Sequence, residues 1–430
     1  MRLQIAECRL QNAERTDSRF FLVSSCLGGE FASCLDGERW WKMTLAKTGN
    51  EAIAYAMKQV NPDVVAAYPI TPSTEIVQLL SGYVADGEMD SEYVAVESEH
   101  SAMSACIGAA AAGCRAMTAT ASQGLALMHE MLFIASGLRM PIVMGLASRS
   151  LSSPLNIHCD HSDSVASRDS GWIQLFCGSS QEGYDSLIQA VRVAEAASLP
   201  VMVAIDGFIL SHCQERIEAL EDKQVQEFVG KYEPNYSLLD VDHPIMLSPA
   251  CLPDSYYEHK RAQVEGMNTA LKAIEDVATE FGQKFGRHYK TLEGYKVEDA
   301  EVVILCMGSC AGTTRIAVDA LRAKGKKVGM YKLRVFRPLA WKTMREQLYR
   351  HKVVAVLDRV DSVNSFVTPL TNEVRSALYD TAKKPMVPSY VYGLGGRDFE
   401  PEEAMAAFEE LLGFAAQGKA RDDVGYLGVR

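Results

Sequence analysis

The sequence lacks any apolar run near the roughly 18 to 20 residues that a bilayer-spanning helix needs. Runs such as Val302–Met307 have the length of buried strands instead. It also lacks an excess of positive charge: 43 Lys and Arg stand against 55 Asp and Glu, a formal net charge of -12. Phosphate backbones are bound by clustered cations, so no nucleic-acid partner is expected. The eleven cysteines are odd in number and scattered without the spacing of a disulfide framework, which points to a reducing compartment. Cys306 and Cys310 have no companion cysteines to complete a zinc or iron–sulfur site, and they read as small buried thiols. The stretch Gly308-Ser309-Cys310-Ala311-Gly312-Thr313-Thr314 follows a strand and opens a helix, as a phosphate cradle would. It lacks both the dinucleotide glycine spacing and the P-loop lysine. No internal repeat or low-complexity tract is present. Phe20–Cys26 is too short for a lipoprotein signal and follows the acidic residues Glu7, Glu14 and Asp17. These absences lead us to expect a soluble, cytoplasmic chain without a membrane segment.

What is present is ample core material. The 430 residues are 48% hydrophobic and 23% charged, enough for two or three domains. Residues 1–42 show no sustained period and read as a poorly ordered extension. Met43 precedes the first periodic helix so closely that it is also a candidate initiator, which the intact mass of the natively expressed protein checks. From Gly49 the chain alternates: helix Glu51–Gln59, strand Asp63–Tyr68, a helix from Thr74, strand Tyr93–Glu97, and an Ala-rich helix. Strand Arg115–Thr120, helix Leu125–Ser136, strand Pro141–Ala147 and strand Val201–Ile205 follow. This order is that of an α/β protein with a parallel sheet covered on both faces, and ligands then lie at the carboxyl ends of the strands.

The charge-rich stretch Glu215–Glu233 and the prolines Pro249 and Pro253 interrupt the alternation, which suggests a boundary near residue 250. Val264, Met267, Leu271, Ile274, Ala278, Phe281 and Phe285 then recur at three- and four-residue steps, one long amphipathic helix within a connector at 251–298. A second alternation fills 299–430: strand Glu301–Met307, helix Gly312–Ala323, strand Lys327–Lys332, helix Trp341–Tyr349 and strand Val353–Asp358.

The richest stretch is Tyr68-Pro69-Ile70-Thr71-Pro72-Ser73-Thr74, which leaves a buried strand and enters a helix. Pro72 suits the first helical position with Thr71 as cap, so that N–H groups and hydroxyls converge as an anion site, although an ordinary capped turn has the same pattern. Further along come Glu97-Ser98-Glu99-His100, Thr118-Ala119-Thr120-Ala121-Ser122-Gln123-Gly124, Ala147-Ser148-Arg149-Ser150 and Asp160-His161-Ser162-Asp163. Arg149 ends an otherwise apolar strand and needs a partner, either a structural acid or a ligand. His158, Asp160, His161 and Asp163 lack the spacing of a metal site on a rigid element, and no metal ligands are assigned.

Together and in this order, the motifs resemble those of the alpha subunits of 2-oxoacid:ferredoxin oxidoreductases, over nearly everything from Met43 to the C-terminus. The resemblance implies a thiamine diphosphate-binding fold. Residues 43–250 would be its pyrimidine-binding domain and 299–430 a transketolase C-terminal-like domain, marked by Arg337-Pro338 and Gly393-Leu394-Gly395-Gly396. It implies that Glu99 is the catalytic glutamate at N1′ of the cofactor, with Glu97 as the alternative. Pro69, Ser122, Gln123 and Gly124 would line the cofactor, Thr71 and Arg149 would bind the substrate carboxylate, and Asp160 and His161 would belong to an active-site loop. The implied reaction is oxidative decarboxylation of a 2-oxoacid with coenzyme A, with pyruvate favoured by Thr71 and branched-chain 2-oxoacids or 2-oxoglutarate as alternatives.

The sequence also lacks the Gly-Asp-Gly motif that binds the cofactor's metal in this family, Asp206-Gly207 being the nearest approach, and it has no ferredoxin-type cysteine run. Mg2+ and [4Fe-4S] clusters are therefore expected in partners: a beta subunit with the diphosphate half-site, gamma and ferredoxin-like delta subunits, and ferredoxin or flavodoxin as acceptor. Two other classes stay open, a stand-alone NAD-linked oxidoreductase and a non-catalytic scaffold. The missing dinucleotide fingerprint weighs against the first, the presence of both Glu99 and Arg149 against the second.

Overall fold

The computed structural model describes residues 43–363 and 365–430; the readings of Phe20–Cys26 and of residues 1–42 lie outside them. The chain enters through Met43–Thr48 (β1), and Thr48 then caps the helix Gly49–Val60. The Thr48 hydroxyl accepts from Glu51 N at 3.1 Å while the Glu51 carboxylate accepts from Thr48 N at 2.7 Å, a reciprocal capping box. Asn61, with a left-handed φ of 54°, ends the helix.

Val64–Ala67 (β2), Glu92–Ala95 (β3), Ala116–Thr120 (β4), Val143–Ser148 (β5), Ile173–Phe176 (β6) and Val201–Asp206 (β7) form a parallel sheet. Gln214–Ala219 (β8) pairs with β1 in a separate antiparallel ribbon. In the second half Leu292–Tyr295 (β9), Val302–Cys306 (β10), Val328–Leu333 (β11), Val353–Asp358 (β13), Ser389–Val391 (β14) and Gly425–Tyr426 (β15) make a sheet ordered β15-β14-β13-β10-β11-β9, antiparallel only at β9. Val335–Arg337 (β12) leaves that half and adds to the first sheet, which runs β12-β6-β7-β5-β4-β2-β3, antiparallel only at β12. Every residue of β4, β5, β6, β7, β10, β11 and β13 is buried, as expected of strands covered on both faces.

One face of the first sheet packs Ile53, Met57, Tyr184, Leu187 and Phe281. The other packs Met103, Leu132, Trp172 and Phe176, and this core continues through Phe336 into Leu305, Tyr331 and Leu348 of the second half. One apolar core thus joins the two sheets. Among the described residues, no helix is long and apolar enough to cross a membrane.

Several sequence expectations are corrected. The helix after β2 begins at Thr74 with Ser73 as its N-cap, not at Pro72 with Thr71 as cap. The carbonyls of Thr71 and Pro72 are taken by Arg149 and Asn50, and the Ser73 hydroxyl donates to Ile70 O at 2.9 Å, so the chain makes a turn there first. The segment read as helix Leu125–Ser136 is two helices, Ser122–Leu127 and His129–Gly137, joined at Met128. The charge-rich stretch contains β8 and the helix Asp222–Val229; Ile217 and Ala219 alternate inward while the charges face out. The long helix spans Tyr256–Phe285, and it buries the expected face only from Gly266 onward. Val264 is 52% exposed.

Candidate active site

The neighbouring strands β2, β4, β5 and β7 bring Tyr68–Ser73, Ala121–Gly124, Arg149 and Asp206 to one edge of the first sheet, the usual ligand position in such folds. Arg149 is buried there. Its Nε donates to Asn156 O at 3.0 Å, Nη1 to Thr71 O at 2.8 Å, and Nη2 to Gln123 Oε1 at 3.1 Å. All three acceptors are neutral, and among the described residues Arg149 makes no ion pair. Two of its five N–H donors remain for a ligand. Burial lowers its pKa, with Asp163 opposing, yet a guanidinium stays charged. A planar cation braced by neutral acceptors is suited to a carboxylate.

Thr71 is exposed and meets Arg149 through its carbonyl. Pro69 is exposed, following β2. Ser122, the second residue past β4, takes a left-handed φ of 46°, and its hydroxyl lies 2.6 Å from both Gln123 Oε1 and Ser150 O. Gln123 is thereby held between Ser122 and Arg149.

Glu99 opens the helix Glu99–Ala111, which Ser98 caps by accepting from Ser101 N at 3.2 Å. The Glu99 side chain is buried, 7% exposed, and among the described residues its carboxylate makes no hydrogen bond or ion pair. A Cβ on Gly124 would stand 2.8 Å from Glu99 Oε1 and closer still to Thr120 Oγ1, so only glycine lets the end of β4 approach this carboxylate. Glu97 is exposed and does not share this setting, because β3 ends at Ala95 and the strand periodicity does not reach it. The Ser101 hydroxyl donates to it at 2.6 Å and holds its carboxyl below the usual range.

Asp160 and His161 diverge from this group. The Asp160 carboxylate accepts from Ser162 N at 2.9 Å, and burial raises its pKa. His161 turns to Asp206, Nε2 to Oδ1 at 2.8 Å. Burial would lower the imidazole pKa, but the Asp206 carboxylate outweighs it and raises it. Asp206 also accepts from Ser309 N at 2.9 Å and lies 3.5 Å from Arg359 Nη1. A Cβ on Gly308, whose φ is 73°, would stand 2.8 Å from Asp206 Oδ1. The cradle-like Gly308–Ser309 turn therefore grips a carboxylate of its own chain. Of the four residues weighed as a metal cluster, only His161 joins a ligand-like group, with Cys159 and Asp206 within 4.8 Å; the adjacent Arg359 already supplies the cation. His158 packs on Phe208 at 4.7 Å instead.

The turn Gly393–Gly396 braces the loop beneath Arg149: Asn156 Nδ2 donates to Gly395 O at 3.0 Å and Gly396 N to Cys159 O at 2.7 Å. Arg337 pairs with Glu373. Sequence reading missed Asn156, whose carbonyl holds Arg149, and Asn50, whose amide donates to Pro72 O at 2.8 Å. Neither lies in a motif, and nothing local marks it.

Residues 55–279 match the family model described as pyruvate flavodoxin/ferredoxin oxidoreductase, thiamine diP-bdg, and residues 300–404 match pyruvate:ferredoxin oxidoreductase core domain II. The pyruvate synthase subunit PorA of Thermotoga maritima is 52% identical over 388 residues, 90% of this chain and 98% of that protein. The ketoisovalerate oxidoreductase subunit VorA of Pyrococcus horikoshii is 42% identical over 384 residues, 89% of this chain and 97% of that protein. A solved 2-oxoglutarate:ferredoxin oxidoreductase from Magnetococcus marinus, with 2-oxoglutarate, coenzyme A and succinyl-CoA bound, shares the fold at a TM-score of 0.68 and 20% identity, covering 85% of this chain and 65% of that one. By the family model over more than half of its length and by these relatives, the chain belongs to the 2-oxoacid:ferredoxin oxidoreductase family, as an alpha subunit of the PorA type.

Proposed function

We propose that this chain is the alpha subunit of a multi-subunit, cytoplasmic pyruvate:ferredoxin oxidoreductase and contributes the pyrimidine half of a thiamine diphosphate site. The reaction takes pyruvate, coenzyme A and two oxidised ferredoxins to acetyl-CoA, carbon dioxide, a proton and two reduced ferredoxins, and it runs in reverse as a synthase. The single observation that carries this reading is Glu99, a buried carboxylate without a partner among the described residues, set against a glycine whose missing side chain leaves the approach open. That setting fits an aminopyrimidine edge.

When bound, thiamine diphosphate supplies a carbon nucleophile for the ketone and an electron sink for decarboxylation. Glu99 would hold a proton at the ring nitrogen N1′. Arg149 would bind and orient the pyruvate carboxylate with its two free N–H groups, and Thr71 would stand beside it at the exposed rim. Pro69 and the Ser122–Gly124 turn would line the cofactor. Diphosphate and Mg2+ would be held by a beta subunit, [4Fe-4S] clusters by a ferredoxin-like delta subunit, with a gamma subunit completing the complex. We assign residues 43–250 to the pyrimidine-binding domain, 251–298 to the connector and 299–430 to the transketolase C-terminal-like domain. Asp160 and His161 we assign to the supporting loop.

Replacing Glu99 by Gln in the assembled complex should slow turnover by roughly 10² to 10⁴; near-normal turnover would reject the assignment. A branched-chain preference is the second reading, favoured by the 42% identity to VorA. The ratio of kcat/KM for pyruvate to that for 2-oxoisovalerate decides between them.

A further inference from the structure

Asp163 is 2% exposed, and among the described residues it makes no ion pair. Its Oδ2 accepts from Ser122 N and from Arg149 N, each at 2.9 Å, and its Oδ1 from Ser164 N at 2.6 Å. Ser122 is the second residue past β4, and Arg149 the first past β5. The ladder between these strands ends at the pair Thr120–Leu146. Beyond it, both backbone N–H groups need an acceptor, and neither strand can supply one to the other. A single carboxylate oxygen, entering from a third segment, serves both. It therefore sets the spacing between the turn that holds Gln123 and Gly124 and the main chain that carries Arg149.

A neutral acceptor or a water would satisfy these N–H groups at less cost than a buried charge. The position holds a carboxyl nonetheless, and burial pushes it up to about 6 against its three backbone donors. Its segment is itself pinned. His161 N donates to Arg359 O at 2.8 Å, and Ser162 Oγ accepts from Leu151 N at 2.9 Å.

We propose that Asp163 is a positioning residue for the 2-oxoacid site: by tying Ser122 N to Arg149 N through one oxygen, it aims the two free N–H groups of the Arg149 guanidinium relative to Gln123 and Gly124. The proposal rests on the reading that Arg149 grips the substrate carboxylate. An error of about 1 Å in such an element costs on the order of 10² in rate.

The test is steady-state kinetics of the assembled complex with Asp163→Ala, Asp163→Asn, Asp163→Glu and Arg149→Lys. With Ala, KM for pyruvate should rise about tenfold or more while KM for coenzyme A stays within about twofold, and Asn, which keeps an acceptor oxygen, should recover most of the loss. An unchanged KM for pyruvate in Asp163→Ala, with Arg149→Lys raising it, overturns the proposal and leaves the substrate reading standing. An unchanged KM in Arg149→Lys overturns that reading, and the proposal with it. If Asp163→Ala does not assemble, Glu against Asn carries the test: a raised KM with Glu alone supports the proposal, and equal values overturn it. A parallel rise in KM for coenzyme A in any Asp163 variant marks general damage and also overturns it.

Discussion

Asp163 and Asp206 are both buried, and both accept from the backbone, Asp163 at strand ends of the first sheet and Asp206 from Ser309 beyond β10 of the second, yet their surroundings are opposite. Burial would raise the Asp206 pKa, but Arg359, His161 and Ser309 outweigh it and hold the carboxyl well below the usual range. Among the described residues Asp163 accepts only from main-chain donors, and burial wins. The contrast extends outward. At the junction between the sheets, charges are matched within the chain, as in Lys332 with Glu182 at 2.8 Å and Arg287 with Asp185 at 2.6 Å. Around Arg149, among the described residues, they are left unpaired: Arg149 and Asp163 feel each other only beyond ion-pair distance, and the Glu99 carboxylate has no hydrogen-bond donor. Structure closes its charges, whereas a binding site keeps some open for what it binds.

This comparison can be broken most severely at Asp206. Asp206→Ala should cost about 3–5 kcal/mol, because Arg359 and His161 lose the carboxylate they face in the interior; chemical denaturation measures it, and a cost near zero would dissolve the distinction. Next comes Glu99→Gln, for which the large loss of turnover predicted above should come with a melting temperature unchanged or raised, since the buried carboxyl has no partner to lose among the described residues. A marked drop in melting temperature would put Glu99 among the structural residues.

Asp163 sharpens the comparison through pH. Its folded pKa of about 6 lies above the ordinary 3.8, so its contribution to stability is fully present below pH ~4 and is lost as pH rises through 6. The loss is on the order of 3 kcal/mol at most. Asp163→Asn should remove that slope, while Asp358, also pushed up to about 6, continues to act in the same direction. Asp206 has the opposite sign, giving stability above the ordinary carboxylate range that is lost only in acid. The smallest effect is expected for Ser309→Ala, which removes one hydroxyl from Asp206 but leaves the backbone donor, at about 1–2 kcal/mol by denaturation.

Much of the fold was legible because its periods are local. The apolar strands β10, β11 and β13 were read to within a residue or so, and the alternation of helices and strands implied a parallel sheet. The helix Ser180–Ala197 was not read. It buries 14 of its 18 residues, among them Glu182, Asp185 and Gln189, so no polar face marks its period. Those polar residues are satisfied by Lys332, Arg287 and Arg334, far along the chain. The excursion of β12 into the first sheet left no trace in the sequence for the same reason.

The site divides in the same way. Thr71, Gln123 and Arg149 were named from motifs and lie in contact, and Gly124 lies against Glu99. Asp160-His161-Ser162-Asp163 was read as one unit, but it serves three places: Asp160 its own turn, His161 the junction, Asp163 the main chain at Arg149.

The sequence by itself determined the residue types at the strand ends, the α/β order and the family, since each is written in local spacing. Only the tertiary structure decided which charges are closed and which stay open. Asp206 meets Ser309 across 103 residues of chain, and Arg149 meets Thr71 across 78. A charge is stabilised by what surrounds it in space, which neighbours in sequence do not specify.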